Sequence, residues 1–282
     1  MSKSIALLIC DTPMPSVVEE HGDYHVLFTN LLHAAGKQLG IDEIADKCKL
    51  DPYDVVTKME YPTDEQLEAY DGILITGSKA NACDDIEWIN KLVEYTTRVA
   101  TAKPNMKIVG ICFGHQIVAR ALGGRCVRND KWEVGPTPVT LSPLGKEVFG
   151  VDLLVILRIC TLVGNIDPDP QYIQEMHRDH VPEVPDNFHL LGSTDISMNQ
   201  GMVRFHSAAA PTSPVSLSDI HIFTVQGHPE FDEPVVTKLT NFRTAQGIID
   251  SVTAADAARR AKWQNDGVGI VGKVILGVYG VE

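Results

Sequence analysis

The segment Ile108-Val109-Gly110-Ile111-Cys112-Phe113-Gly114-His115-Gln116 constrains this chain more than any other. A short apolar run enters it, the helical pattern Ile117-Val118-Ala119-Arg120-Ala121-Leu122 leaves it, and a cysteine stands between two glycines at the turn. A strand that becomes a helix in so few residues strains the backbone of the turn residue, and flanking glycines let strand and helix pass without a Cβ clash. The chain must therefore contain a strand–turn–helix unit with Cys112 at its apex. A helix start offers unpaired N–H groups and the positive end of the helix dipole, a setting that favours a thiolate. Read alone, the pattern also suits a small buried thiol packed beside a strand.

Much further along, the apolar run Ile222-Phe223-Thr224-Val225 leads into Gln226-Gly227-His228-Pro229-Glu230-Phe231. A nucleophilic thiol needs an imidazole to share its proton and a carboxylate to fix the tautomer of that imidazole, and His-x-Glu at a strand end can supply both. By itself His-Pro-Glu is also a common surface turn. A cysteine elbow and a late His-Pro-Glu, each at the C-terminal end of a predicted strand, belong where an open parallel sheet gathers its chemistry.

With both segments present, the chain resembles the class I glutamine amidotransferases, whose signatures are a G-x-C-x-G-x-Q elbow and a late H-P-E. Residues 110–116 and 228–230 match them. The resemblance covers most of residues 4 to 245. Ile75-Thr76-Gly77-Ser78, Trp132-Glu133-Val134-Gly135 and Met176-His177-Arg178-Asp179-His180 further resemble a stand-alone branch that includes fungal amidotransferase-like proteins and plant γ-glutamyl peptidases. It implies a flavodoxin-like α/β fold with Cys112 as nucleophile, His228 as general base and Glu230 as the acid that orients it. The oxyanion formed on attack would be held by the Phe113 amide and by Gly77 or Ser78. Gln116, His177, Arg178 and Asp179 would serve the substrate pocket, Arg178 by receiving a carboxylate through its planar fork. The His177–Asp179 stretch is expected as a loop near the mouth of the site. His115, next to the nucleophile in sequence, is expected to pack rather than react.

The coarse pattern agrees with such a fold. Strands are expected at 4–10, 53–59, 71–76 and 107–111, with helices at 24–36, ended by Gly36, at 86–100 and at 115–122. This alternation predicts a mostly parallel central sheet with helices on both faces. Extended segments near 125–128, 134–141, 188–194, 200–205 and 220–226 then predict a small antiparallel extension. Two helices, at 234–249 and 253–264, close the chain. With 44% hydrophobic residues, 282 residues can bury one sizeable core, and a single domain over 1–282 is expected.

Other function classes are disfavoured. A net charge of −13 repels nucleic-acid phosphates and anionic lipid. The N-terminal Ser4–Cys10 run is too short for a signal sequence and reads as a strand. Six cysteines without a C-x-x-C pair suggest neither a zinc ribbon nor a disulfide scaffold, so a reducing compartment, cytoplasm or nucleus, is expected. His177-x-x-His180 lacks a third ligand at metal spacing, and no cofactor is expected. No phosphate-binding G-x-x-x-x-G-K-[ST] run is present for ATP activation.

The expected chemistry is hydrolysis of the γ-amide of glutamine or of a γ-glutamyl compound through a thioester on Cys112. Ammonia would pass to a separate synthase subunit, or the chain would work alone as a γ-glutamyl hydrolase or peptidase. A non-catalytic binding or regulatory protein on the same scaffold is the alternative. Residues 151–170, an apolar stretch followed by Asn165-Ile166-Asp167-Pro168-Asp169-Pro170, read as an insertion too short and too charged to span a membrane. Residues 206–219 read as a second loop.

Overall fold

The computed structural model of the chain describes residues 2–150, 171–207 and 213–281. The insertion expected at 151–170 lies outside the described residues, as does the middle of the loop expected at 206–219. In chain order the strands are β1 (Lys3–Ile9), β2 (Cys48–Asp54), β3 (Gly72–Ile75), β4 (Lys107–Ile111), β5 (Val127–Leu141), β6 (Gln171–His180), β7 (His189–Ser193), β8 (Gly201–Phe205) and β9 (Ile220–Val225). The helices are α1 (Pro15–His21), α2 (Tyr24–Gln38), α3 (Ile44–Lys47), α4 (Asp64–Leu67), α5 (Glu87–Ala102), α6 (Phe113–Ala121), α7 (Pro143–Val148), α8 (Glu233–Ala245), α9 (Ser251–Arg260) and α10 (Lys273–Tyr279).

The strands join in the order β2-β1-β3-β4-β9-β8-β7-β5-β6. From β2 to β9 every pairing is parallel; from β9 to β6 every pairing is antiparallel. Side-chain period two explains the two cores. Ile5 and Leu7 of β1, Leu74 of β3, Val109 of β4 and Phe223 of β9 point to one face, where α2 and α10 cover them. Ala6 and Leu8, Ile73 and Ile75, Ile108 and Ile222 point to the other, under α5 and α6. Such strands read as continuous apolar runs because both faces are buried.

Several boundaries differ from the sequence reading. The second strand is Cys48–Asp54, not 53–59. It pairs with β1 alone, at the sheet edge, where Pro52 is tolerated, and the Asp54 side chain then takes the Val56 and Thr57 amides and turns the chain away. Gly36 does not end α2 but lies within it, and its lack of a side chain serves packing, since a Cβ there would press within 2.6 Å of Ile44. The segments expected near 125–128 and at 134–141 join in one strand, β5, which begins at Val127 and has an irregularity between Arg128 and Glu133. The helix expected to run to 249 ends at Ala245. Beyond 264 the sequence reading placed no helix, yet Gly267–Gly272 forms a wide π turn and α10 follows, packing on α2. Asn265 Nδ2 donates to the Phe231 carbonyl, 3.0 Å, so this last segment braces the His-Pro-Glu turn.

Candidate active site

Cys112 sits between β4 and α6 with φ 51° and ψ −100°, a positive φ that a non-glycine residue adopts only under constraint. The glycines on either side explain how the turn closes. A Cβ on Gly110 would lie 2.7 Å from the Gly114 backbone, and one on Gly114 would run into the Ile75 carbonyl. The Cys112 amide bonds the Val225 carbonyl at 2.9 Å, tying the elbow to β9.

The same strand β9 delivers His228 and Glu230. His228 Nδ1 lies 2.8 Å from Glu230 Oε1, and both side chains are almost wholly buried. Phe231 stacks on the imidazole with centroids 4.2 Å apart and planes 3° from parallel. At the Cε1 edge of the ring, Gly77 approaches so closely that a Cβ would come within 2.6 Å of His228 Cε1. Burial would push the imidazole pKa down, but the charges of Cys112 and Glu230, and hydrogen bonds to both, outweigh it and raise it to about 10. The three residues expected to react thus meet at the C-terminal ends of β4 and β9.

The residues expected to hold an oxyanion lie nearby. Phe113 is the first residue of α6, so its N–H has no intrahelical acceptor. Gly77 and Ser78 follow the last backbone bond of their strand, from Thr76 N to Leu8 O at 3.2 Å, and Ser78 lines the cleft beside His228.

The stretch 176–180 belongs to strand β6 rather than to a loop or a helix, and its period of two decides where each side chain goes. Met176 and Arg178 face the cleft. His177 and Glu175 face inward, and β5 sets Glu133 opposite His177. His177 Nε2 lies 3.1 Å from Glu133 and 3.2 Å from Glu175. Its Nδ1 lies 3.0 Å from the Asp179 carbonyl, which can only accept, so Nδ1 carries a proton. Burial opposes the charge on this ring, but the two carboxylates hold its pKa well above the ordinary value. Burial also raises Glu175.

Of the four residues expected at the substrate, Arg178 alone is among those lining the cleft, and its Nε donates to the Asn129 carbonyl at 2.8 Å. Gln116 is buried, with Nε2 donating to the Asp179 carbonyl at 2.7 Å and to Gln226 Oε1 at 3.1 Å. The Asp179 carboxylate pairs with Arg128 at 3.0 Å. His115, fully buried, bonds Thr224 through Nδ1 at 2.8 Å, and its pKa is lowered to about 3, chiefly by burial.

Several residues at the site were not singled out in the sequence. Gln226 Nε2 approaches Cys112 Sγ at 3.6 Å. Its backbone N–H donates to the Gln200 carbonyl, and Gln200 Nε2 donates to Glu133 Oε2 at 2.8 Å. A polar chain thus runs from the His177 cluster to the sulfur. Gly227 lies directly over this cluster, since a Cβ there would meet Glu175 Oε1 at 2.6 Å. Arg243 of α8 reaches the cleft with its guanidinium 5.4 Å from the Trp132 ring centroid. Burial lowers its pKa, while Cys112, Tyr24 and Asp11 pull it back up. Gln226 stands two residues before His228 and is legible by that proximity; Arg243 carries no local signal.

The cleft itself has a volume of about 700 Å³. Its walls are largely apolar, with Met14, Val17, Trp132, Phe231, Leu239 and Phe242 among them, while Lys79, Arg128, Arg178 and Arg243 give it positive charge. Lys79 is paired with Asp11 at 2.5 Å. The opening therefore has the opposite sign to the molecule as a whole. Among the described residues no group of His, Cys, Asp and Glu is arranged to hold a metal ion, and no helix is long and apolar enough to cross a membrane.

Residues 22–238 match the class-I glutamine amidotransferase family. A glutamine amidotransferase-like protein of Schizosaccharomyces pombe is 31% identical, over 93% of each chain. γ-Glutamyl peptidase 4 of Arabidopsis thaliana is 29% identical, over 86% of this chain and 82% of its own. The fold also matches a glutamine amidotransferase structure from Thermotoga maritima with a TM-score of 0.64, at 15% identity, covering 99% of this chain and all of that one.

Proposed function

Since the chain belongs to the class-I glutamine amidotransferase family, we propose that it hydrolyses a γ-glutamyl amide bond through a thioester on Cys112. The observation that carries this reading is the elbow conformation of Cys112, together with a His228 held between that sulfur and Glu230. Cys112 gives its proton to His228 and its sulfur attacks the γ-carbonyl. The resulting oxyanion is held by the Phe113 amide and by Gly77 or Ser78, donors fixed before the charge develops, each such donor contributing about 3 kcal/mol in comparable sites. His228 then protonates the departing nitrogen, and water activated by the same imidazole releases glutamate. Glu230 keeps His228 Nδ1 protonated and its Nε2 toward the sulfur.

The cleft favours a stand-alone γ-glutamyl hydrolase or peptidase. Its volume and apolar walls leave room beyond a glutamyl group, and Arg178 and Arg243 suit carboxylates on either side of the scissile bond. A second reading, delivery of ammonia to a separate synthase subunit, is supported by the exposed Phe242 and Ile248 at the rim of the same cleft. Purified protein is assayed for glutamate release on glutamine, γ-glutamyl dipeptides and γ-glutamyl anilides. Activity on the peptides, lost in Cys112→Ala with the fold retained, is expected. Unchanged release by Cys112→Ala overturns the mechanism, and activity only on adding a second protein favours the synthase reading. No turnover of any γ-glutamyl compound would leave a binding role on the same scaffold.

A further inference from the structure

A second pair of thiols lies outside the Cys112 site. Cys83, in the loop that follows Gly77 and Ser78, places its sulfur 2.7 Å from that of Cys126, just beyond the elbow helix α6 and its Gly123-Gly124 turn. Both are free thiols. Cys83 is half-buried and Cys126 buried, so Cys83 is the more accessible residue of the pair.

The contact is held by its surroundings. Arg120, near the end of α6, donates to the carbonyls of Ala82 and Asp84, the residues on either side of Cys83. The Asn81 side chain takes the Cys83 amide at 3.1 Å, and the Asp84 amide bonds the Asn81 carbonyl at 3.0 Å. On the other side, the Gly124 amide bonds the Ala119 carbonyl at 2.8 Å and turns the chain, so that Cys126, immediately before β5, meets the loop. The two sulfurs are thus brought together by elements that are 43 residues apart in sequence.

We propose that Cys83 and Cys126 form a peroxide-reactive dithiol that closes reversibly to a disulfide, independently of the chemistry at Cys112. The sulfur of Cys83, the less buried residue, attacks one oxygen of the peroxide, the O–O bond breaks, and one water leaves, giving a sulfenic acid. The Cys126 sulfur then attacks Cys83, forming the S–S bond, breaking S–O and releasing a second water. Two thiols are oxidised by two electrons and one peroxide is reduced to two waters. The shared hydrogen bond supports this order: it pulls the Cys83 thiol below its ordinary value, against the cost of burial, and pushes Cys126 up. Arg120 acts in the same direction on Cys83, whereas Asp84 and Asp179 oppose it. The link ties the loop beginning at Gly77 to the end of the elbow helix, and a thiol reductant would reopen it.

The test uses full-length protein, as wild type and as Cys112→Ala, the latter to remove the competing nucleophile from the mapping. Each is treated with one equivalent of hydrogen peroxide, capped with iodoacetamide and digested without reductant. The expected product is a peptide pair joined through Cys83 and Cys126, lacking two hydrogens and separated by dithiothreitol. In Cys126→Ser the pair disappears and dimedone instead labels Cys83. Because Cys126 is buried, Cys83→Ser at the more open position gives a second variant in which the link must be absent while the circular dichroism matches wild type. Full alkylation of both cysteines after peroxide, or linkage of either to a different cysteine, overturns the proposal.

Discussion

His228 Nδ1 and Glu230 Oε1 stand 2.8 Å apart across a single proline, with both side chains almost wholly buried. Pro229 fixes φ and so limits the conformations in which two residues this close in sequence can face each other. Glu230→Gln keeps the shape but removes the charge that stabilises the imidazolium. We expect kcat to fall about 10²- to 10⁴-fold with little change in unfolding midpoint. Near-normal kcat in that variant would remove Glu230 from the proposed mechanism.

Gly77 tests the geometry at the Cε1 edge of the ring. A Cβ there meets His228 Cε1 at 2.6 Å, so Gly77→Ala must displace the imidazole or the loop. A shift near 1 Å at a reacting group costs on the order of 10²-fold in rate. Steady-state kinetics should show that loss mainly in kcat, and wild-type turnover in Gly77→Ala would show that the approach is not functionally constrained.

Arg243 should discriminate among substrates. A charge-assisted hydrogen bond contributes about 1.5–3 kcal/mol, roughly 10- to 100-fold in binding. Arg243→Met should raise KM by that factor for γ-glutamyl peptides ending in a free carboxylate and leave the neutral anilides nearly unchanged. An equal effect on both classes would assign Arg243 to packing against Trp132 instead.

The buried His177, between Glu133 and Glu175, bears on stability. Replacing it with Ala leaves two carboxylates without a cationic partner, and breaking a buried pair in this way costs about 3–5 kcal/mol. Urea unfolding of His177→Ala should show a loss of that size. A change below about 1 kcal/mol would mean that the carboxylates take up protons with little cost.

The pH dependence of stability has two arms. His228 is raised from 6.5 to about 10 in the folded protein, so its contribution is complete below pH 6.5 and is lost as pH rises towards 10. His115, lowered from 6.5 to about 3, acts in the opposite sense, costing stability as pH falls from 6.5 towards 3. In Cys112→Ala, where the sulfur no longer raises the imidazole pKa, unfolding free energy should decline less between pH 7 and 10. The same alkaline slope in wild type and variant would contradict the coupling between Cys112 and His228.

The cysteine elbow and the His-Pro-Glu turn were readable from sequence because each is a local solution to a local constraint. Gly110 and Gly114 are required wherever a strand must pass so near its following helix, and the parallel strands that lead to them are unbroken apolar runs because both faces are buried. The edge strand β2 was misplaced for the converse reason: with only one neighbour it tolerates Pro52 and charged residues, which blur its pattern. The α10 segment, rich in glycine and valine, gave no clear helical period, and it is the contact with α2 that gives it a place.

What remained hidden depends on register between distant segments. Nothing near His177 in sequence says whether it faces substrate or core; the pairing of β5 with β6 sets Glu133 opposite it and turns Arg178 to the cleft. Gln116 is likewise held inward by the Asp179 carbonyl, and Cys83 meets Cys126 through a loop that Arg120 and Asn81 hold against the end of α6. The sequence by itself determined the elbow, the imidazole–carboxylate turn and the parallel sheet that ends at them, since backbone sterics and period-two burial act over a few residues. Tertiary structure alone decided which polar side chains line the cleft and which stabilise it from behind, because that choice rests on strand register and burial across the whole fold.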